Sequence, residues 1–244
     1  MWRKQSVTGV TRSPEVEPVL EVIDVEDIDV QVLRLFALVV ERLEAATEAF
    51  LTGDRDTARA LVASEPTVDA IQFDVEALAV RKLASGRPLA EEHVRLLILV
   101  LRIVPELERS ADLVEHVALR TGQGLDRSIS STARQLVGEM GRVAVDMWRI
   151  AAAAYAGRDQ AVAARLRRAD DELDDLHVRL TAELGTEALP PSAAIEMGLI
   201  ARFLERLGDH AVNVTRRLAH IESVPLAPQE RSESAAATTP RSWS

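Results

Sequence analysis

Residues 203–218 read FLERLGDHAVNVTRRL, and their spacing decides the fold. At 100° per residue, Leu204, Leu207, Ala211, Val214 and Leu218 share one side of a helix, while Glu205, Asp209 and Asn213 run along nearly the opposite side. Two features oppose that helix. Gly208 in its interior costs roughly 1 kcal/mol relative to alanine, and the like charges Glu205 and Asp209, one turn apart, repel by about 0.2–0.5 kcal/mol. Such a helix needs an offsetting gain, either in packing at the glycine or in a ligand at the acids.

The surrounding chain is built to pack helices. Its 244 residues are 47% hydrophobic, enough for a sizeable core, and Ala, Leu, Val, Arg and Glu dominate while aromatic residues make up 3%. No alternating pattern lasts long enough for a sheet, so the expected class is all-α. The absence of cysteine excludes disulfides, thiolate metal sites and a cysteine nucleophile, which leaves oxygen and imidazole as metal ligands. A formal charge of -10 argues against nucleic acid as a partner and for cations or basic protein surfaces. The start, MWRKQSVTGVTRSP, lacks the apolar segment of a secretory signal, and the longest apolar run, LLILVL at 96–101, is bounded by Arg95 and Arg102. A cytoplasmic protein without a membrane span is expected, peripheral to the membrane through its partners.

Turn signals at Thr52-Gly53-Asp54, Ser85 to Pro88, Thr121 to Gly124, Gly157-Arg158-Asp159 and Gly185 to Pro191 divide the centre into six long segments. The predicted helices are 28–52, 55–84, 89–120, 126–156, 159–184 and 191–222, with Asp126 and Ser192 as helix-start residues. Long helices with short connections favour antiparallel bundles. Residues 1–26 and 225–244, rich in Pro and polar residues and without apolar periodicity, are expected to be a flexible N-terminal segment and a disordered tail.

The third and sixth segments resemble each other. LERSADLVEHVALR (107–120) aligns without a gap on LERLGDHAVNVTRR (204–217), with Leu, Glu, Arg, Asp, Val and the last Arg coinciding. The preceding helices agree too: EPTVDAIQFDVE (65–76) carries Glu65 and Asp69, and DDELDDLHVRL (170–180) carries Asp170 and Asp174. The unit is three helices used twice, giving two tandem three-helix bundles over 27–122 and 123–224. In the third helix Glu108, Asp112 and His116 form the same oblique stripe, away from Ile103, Leu107, Val114 and Val117. A neighbouring helix with its acids alongside makes a four-carboxylate patch per unit, which suits hard divalent or trivalent cations. Solvation alone would be met equally by Lys, Gln or Arg. Gly208 matches Ala111 in the first copy, so small size is the shared requirement, fitting close approach of a neighbouring helix.

ERLGDHAVNV, with its partly degenerate copy ERSADLVEHV, resembles the signature of the PhoU family of phosphate-transport regulators, and the resemblance spans about residues 28–222. It implies three helices per repeat and metal clusters on acid-x-x-x-acid motifs, as in some members. Carried over, the ligands are Glu65, Asp69, Glu108 and Asp112 in the first patch and Asp170, Asp174, Glu205 and Asp209 in the second, for Fe, Zn, Mn or Mg. It also implies a non-enzymatic regulator that contacts the ATPase of the phosphate ABC transporter and a membrane sensor histidine kinase, and it allows a homodimer. The first motif departs from the pattern, with Ala111 for glycine, His116 where the second repeat has Asn213, and Pro105 one turn before Glu108, where a kink is expected.

Two other classes compete. A di-metal carboxylate oxidoreductase would use acid-x-x-His pairs, of which Asp174 to His177 is one, without a second. A metal-free helical adaptor would need the helices alone. His93, His210 and His220 form no catalytic arrangement, and there is no phosphate-cradling loop, nucleophile elbow or dinucleotide turn.

Overall fold

The computed structural model describes residues 25–122, 125, 129–157, 162–186 and 188–224. Among the described residues seven helices follow in order: α1 (Val25–Thr52), α2 (Arg55–Ala63), α3 (Glu65–Ala84), α4 (Glu91–Thr121), α5 (Ser131–Gly157), α6 (Ala163–Thr186) and α7 (Pro191–Ser223). Among the described residues there is no strand. The all-α double bundle expected from the sequence is the fold.

The turn chemistry explains most of the boundaries. Gly53 and Gly86 take left-handed φ values of 72° and 67°, a conformation that favours glycine, and end α1 and follow α3. Asp54 caps α2, its Oδ1 accepting from the backbone N–H groups of Asp56 and Thr57, both at 3.0 Å.

Three expectations need correction. The helix predicted over 55–84 is two helices, α2 and α3, broken at Ser64. Pro66, in the first turn of α3, has no N–H to continue the α2 ladder. Ser192 does not start α7, which begins at Pro191 with its fixed φ already helical. The fourth predicted helix begins at Ser131 rather than 126, with Ser130 Oγ accepting from the N–H of Ala133 at 3.0 Å. Asp126 lies outside the described residues, as do 1–24 and the tail from 225. Pro105, by contrast, sits within an unbroken α4.

α1, α3 and α4 pack as one bundle with α2 against them, and α5, α6 and α7 as the other. Two antiparallel pairs fuse the halves. In the α1–α5 pair Glu44 is ion-paired with Arg149, and Arg134 Nη1 donates to the Leu51 carbonyl at 3.0 Å. A Cβ on Gly141 would meet Thr47 Cγ2 at 2.3 Å, so this pair approaches only because residue 141 has no side chain. In the α4–α7 pair, buried Glu106 accepts from His210 Nδ1 at 2.6 Å and Arg217 Nη2 at 2.5 Å. The repeat register that matches Leu107 with Leu204 puts Phe203 in the place of Glu106 and Arg120 in that of Arg217. Arg120 lies over the Phe203 ring, 4.8 Å from its centroid. The two ends of one pseudo-symmetric contact are thus held by an ion pair and by a cation–π pair.

The apolar stripes behave as their spacing requires: Leu204, Leu207, Ala211, Val214 and Leu218 of α7, and Ile103, Leu107, Val114 and Val117 of α4, are all buried. Gly208 is buried as well, and a Cβ there would meet Leu173 Cδ2 at 2.6 Å and Met147 at 3.1 Å. Side chains of α6 and α5, rather than a helix backbone, occupy the space that the missing Cβ leaves. Trp148 adds to this junction by donating Nε1–H to the Leu207 carbonyl at 3.0 Å.

Candidate functional site

The outward stripes of α4 and α7 meet α3 and α6, which run antiparallel to them and bring the predicted acids together in each half. In the first half Glu65, Asp69 and Asp112 each place a carboxylate oxygen within 4.8 Å of the other two. Glu108 stands one turn before Asp112 on α4, close enough to feel Asp112, Glu76 and Asp69. Glu76 and Glu115, which the sequence reading passed over, also belong to this neighbourhood. In the second half Asp170 faces Asp209, and Asp174 faces Glu205. Among the described residues no group of three in the second half closes to the spacing of the first. The tighter triplet therefore lies in the repeat whose motif departs further from the family pattern.

Electrostatics record the crowding. Burial raises the Glu65 carboxyl above its ordinary range, Asp69, Glu115 and Asp112 push the same way, and the Arg42 guanidinium opposes them. Partial burial, Asp112, Glu76 and Asp69 likewise raise Glu108 against Arg109. Asp170 is raised by burial and by Asp174 and Asp209, and Glu205 by burial and by Asp209 and Asp174. In all four, burial is the largest cause and the neighbouring acids add to it.

Arg42 was not foreseen, although its register announces it: it falls between Val39 and Ala46 on the buried side of α1. Its guanidinium pairs with Glu65, donates to Ser64 Oγ at 2.5 Å and donates to the Leu61 carbonyl at 3.1 Å. The arginine supplies donors where the Pro66 break leaves carbonyls exposed, and it fixes Glu65 at the start of α3. Glu205 has a lesser counterpart in Arg202, at 2.5 Å on the same helix.

The donor set fits a hard cation. All the predicted ligands would offer carboxylate oxygens, and one oxygen in each half, Glu65 Oε1 and Glu205 Oε2, is buried without a hydrogen-bond partner. A buried oxygen of that kind calls for a positive partner. His116 is turned elsewhere, its Nδ1 donating to the Asp112 carbonyl at 2.6 Å and its ring 5.4 Å from that of Phe203. His177 lies near Asp174 and Arg202, and burial with the Arg202 charge lowers its pKa.

Two segments of the chain, 32–121 and 137–218, match the PhoU domain. The chain belongs to the PhoU family. Among its relatives, the phosphate-specific transport system accessory protein PhoU homolog 2 of Mycobacterium tuberculosis is 30% identical over 179 residues, covering 72% of this chain and 84% of that one. The PhoU homolog of Zymomonas mobilis is 31% identical over 176 residues, covering 70% and 73%. The crystal structure of PhoU from Pseudomonas aeruginosa superimposes with a TM-score of 0.74 at 25% identity, covering 81% of this chain and 96% of that one. PhoU of Streptococcus pneumoniae, at 20% identity and a TM-score of 0.71, shares the fold. The family match thus spans both repeats and all eight predicted acids. No helix among the described residues is long and apolar enough to cross a membrane.

Proposed function

We propose that this chain restrains phosphate uptake and phosphate-starvation signalling when phosphate is plentiful, without catalysing a reaction. It would do so in the cytoplasm, by contact with the ATPase of the phosphate ABC transporter and with a membrane sensor histidine kinase. The observation that carries this reading is the paired match to the PhoU domain, in halves that each assemble the acids of α3 with α4 or of α6 with α7. The relatives named as accessory proteins of phosphate-specific transport support the transporter as partner.

The acidic patches would hold metal ions, Fe, Zn, Mn or Mg. Glu65, Asp69, Glu108 and Asp112 would hold them in the first half, and Asp170, Asp174, Glu205 and Asp209 in the second. A bound cation would supply the positive charge that offsets the crowded carboxylates. A second reading, a metal-free adaptor, is favoured by Arg42 and Arg202, which already bring guanidinium groups to Glu65 and Glu205. Phosphate uptake and kinase output, measured in phosphate-rich cells with and without the protein, test the regulatory role. Loss of the protein raises both, and unchanged values for both would overturn it. Partner binding that survives complete metal removal decides for the adaptor.

A further inference from the structure

Glu65, Asp69 and Asp112 close to within 4.8 Å in the half whose motif is the more divergent, so the cause of the close spacing lies outside the motif. Arg42 distinguishes the halves. The register that aligns Glu65 with Asp170 puts Met147 in its place, and the buried residues of α1 and α5 agree with that register: Val32 falls with Val137, Leu43 with Trp148 and Phe50 with Tyr155. The same register puts Ala169 at Ser64 and Asp171 at Pro66, and α6 runs through both without a break. The α2–α3 junction and the arginine that holds it thus have no counterpart at the matching positions of the second half.

The way Arg42 holds Glu65 separates two roles. A guanidinium that stood in for a metal ion would take both carboxylate oxygens side by side, its strongest geometry. Instead Nη2 serves Glu65 Oε2 and the Leu61 carbonyl, the latter at 3.1 Å, and Nη1 donates to Ser64 Oγ at 2.5 Å. Glu65 Oε1 is left buried without a hydrogen-bond partner. Arg42 is 6% exposed and Glu65 8%, so bulk water does not supply that partner. We propose that Arg42 is a positioning residue of the first patch, gripping Glu65 through Oε2 and leaving Oε1 to a hard cation shared with Asp69 and Asp112. A carboxylate ligand already fixed by a hydrogen bond on its other oxygen binds metal more tightly than a free one, because its ordering cost is met in advance. In the second half Arg202 pairs with Glu205 from the same helix, but its side chain is half exposed and swings away at little cost, so it fixes Glu205 weakly.

This rests on the metal reading of the patches, and the test separates the two. Mn, Fe, Zn and Mg are each titrated calorimetrically into the metal-free wild-type chain, and the cation that binds most tightly serves as the probe for the variants. Arg42→Met, which installs the second repeat's residue, and Arg42→Lys, which keeps a buried positive charge, are each made in two backgrounds. Asp174→Asn/Asp209→Asn leaves the first patch to be read by itself, and Asp69→Asn/Asp112→Asn the second. Arg42→Met weakens first-patch binding by about a hundredfold and Arg42→Lys by about tenfold, and neither changes second-patch binding. Circular dichroism checks the helices, and where Arg42→Met does not fold, Arg42→Lys carries the test. First-patch affinity that Arg42→Lys leaves unchanged, or that either substitution raises, makes Arg42 a bystander or a competitor and overturns the proposal while the metal reading stands. Equal weakening of both patches assigns Arg42 to the fold and overturns the proposal in the same way. Wild type that binds none of the four cations overturns the metal reading and the proposal together.

Discussion

Gly208 and Gly141 show how two helix interiors tolerate a residue that weakens them. Each lacks a side chain where another helix fills the space, but the neighbours differ in how easily they yield. At Gly208 the obstructing atoms are the far ends of Leu173 and Met147, whereas at Gly141 they include Thr47 Cβ at 3.0 Å, which moves only with the α1 backbone. Gly141→Ala should therefore destabilise the protein by about 1–3 kcal/mol. Gly138→Ala, whose Cβ would first meet Leu51 Cδ1 at 3.2 Å, should stay within about 1 kcal/mol of wild type. Urea unfolding of the two variants measures the difference, and equal midpoints would refute the close α1–α5 approach. The demand for a small residue at 208 was legible because Ala111 repeats it. Nothing near Gly141 in the sequence marked it, since its neighbour lies on α1 in the other repeat.

Glu106 was equally illegible, an acid on the apolar side of a long helix whose partners come from the second repeat. Burial alone would raise its carboxyl, but the hydrogen bond and charge of His210 and those of Arg217 outweigh burial and hold it below the usual range. Glu106→Gln should cost about 3–5 kcal/mol, since it leaves a buried network without its acid. Thermal unfolding measures that loss, and a variant as stable as wild type would show that the network is dispensable.

At the scale of the element, the junction of α2 and α3 concentrates several causes. Pro66 ends one helical ladder, Ser64 donates from Oγ to the Leu61 carbonyl at 2.8 Å, and Arg42 bridges Leu61, Ser64 and Glu65 from α1. Arg42→Leu should destabilise by about 3–5 kcal/mol, because Glu65 is then buried without a cation. The double change Arg42→Leu and Glu65→Leu should recover part of that loss, and a double variant no better than the single would show that the charge is not the cause. The proline was in plain view in the sequence. Apolar periodicity on both sides of it, from Leu61 to Val75, bridged the gap and made one helix of two. Helix starts were the other weak point, since Ser130 Oγ does what Asp126 was expected to do, while α7 starts at Pro191 behind Pro190, with no side-chain cap.

Across the whole molecule, three-residue and four-residue spacings showed which side of each long helix is buried, and the duplicated motif showed where acids recur. What the sequence did not show is how the halves join, because contacts such as Glu106 with His210 or Arg149 with Glu44 pair residues with no local relation. The same long-range assembly gives a pH signature. Glu65, Glu108, Asp170 and Glu205 all have raised folded-state values, so the folded chain holds more protons than the unfolded one between the two sets of values. Their contribution to stability in the metal-free protein thus falls as pH rises through the raised values. Glu106 and Asp54, both lowered, contribute stability that is lost as pH falls through theirs. Replacing Glu108 and Glu205 by Gln should make the metal-free protein gain stability relative to wild type as pH rises from about 4 to 7, across the usual carboxylate range. Denaturant midpoints across that range check it, and parallel profiles would refute the crowding.

The crowded carboxylates are the feature that links fold to function, and cation binding tests them most directly. Calorimetric titration of Mn, Fe, Zn and Mg into metal-free wild type, Asp69→Asn/Asp112→Asn and Asp174→Asn/Asp209→Asn separates the two patches. Binding of the correct cation at a hundred times its Kd should stabilise the wild type by about 2.7 kcal/mol per site. The first pair of substitutions should abolish the tightest site and the second pair the weaker one, with helicity unchanged in both. Identical isotherms for all three proteins would contradict the account, leaving the acids as a solvated or partner-docking face.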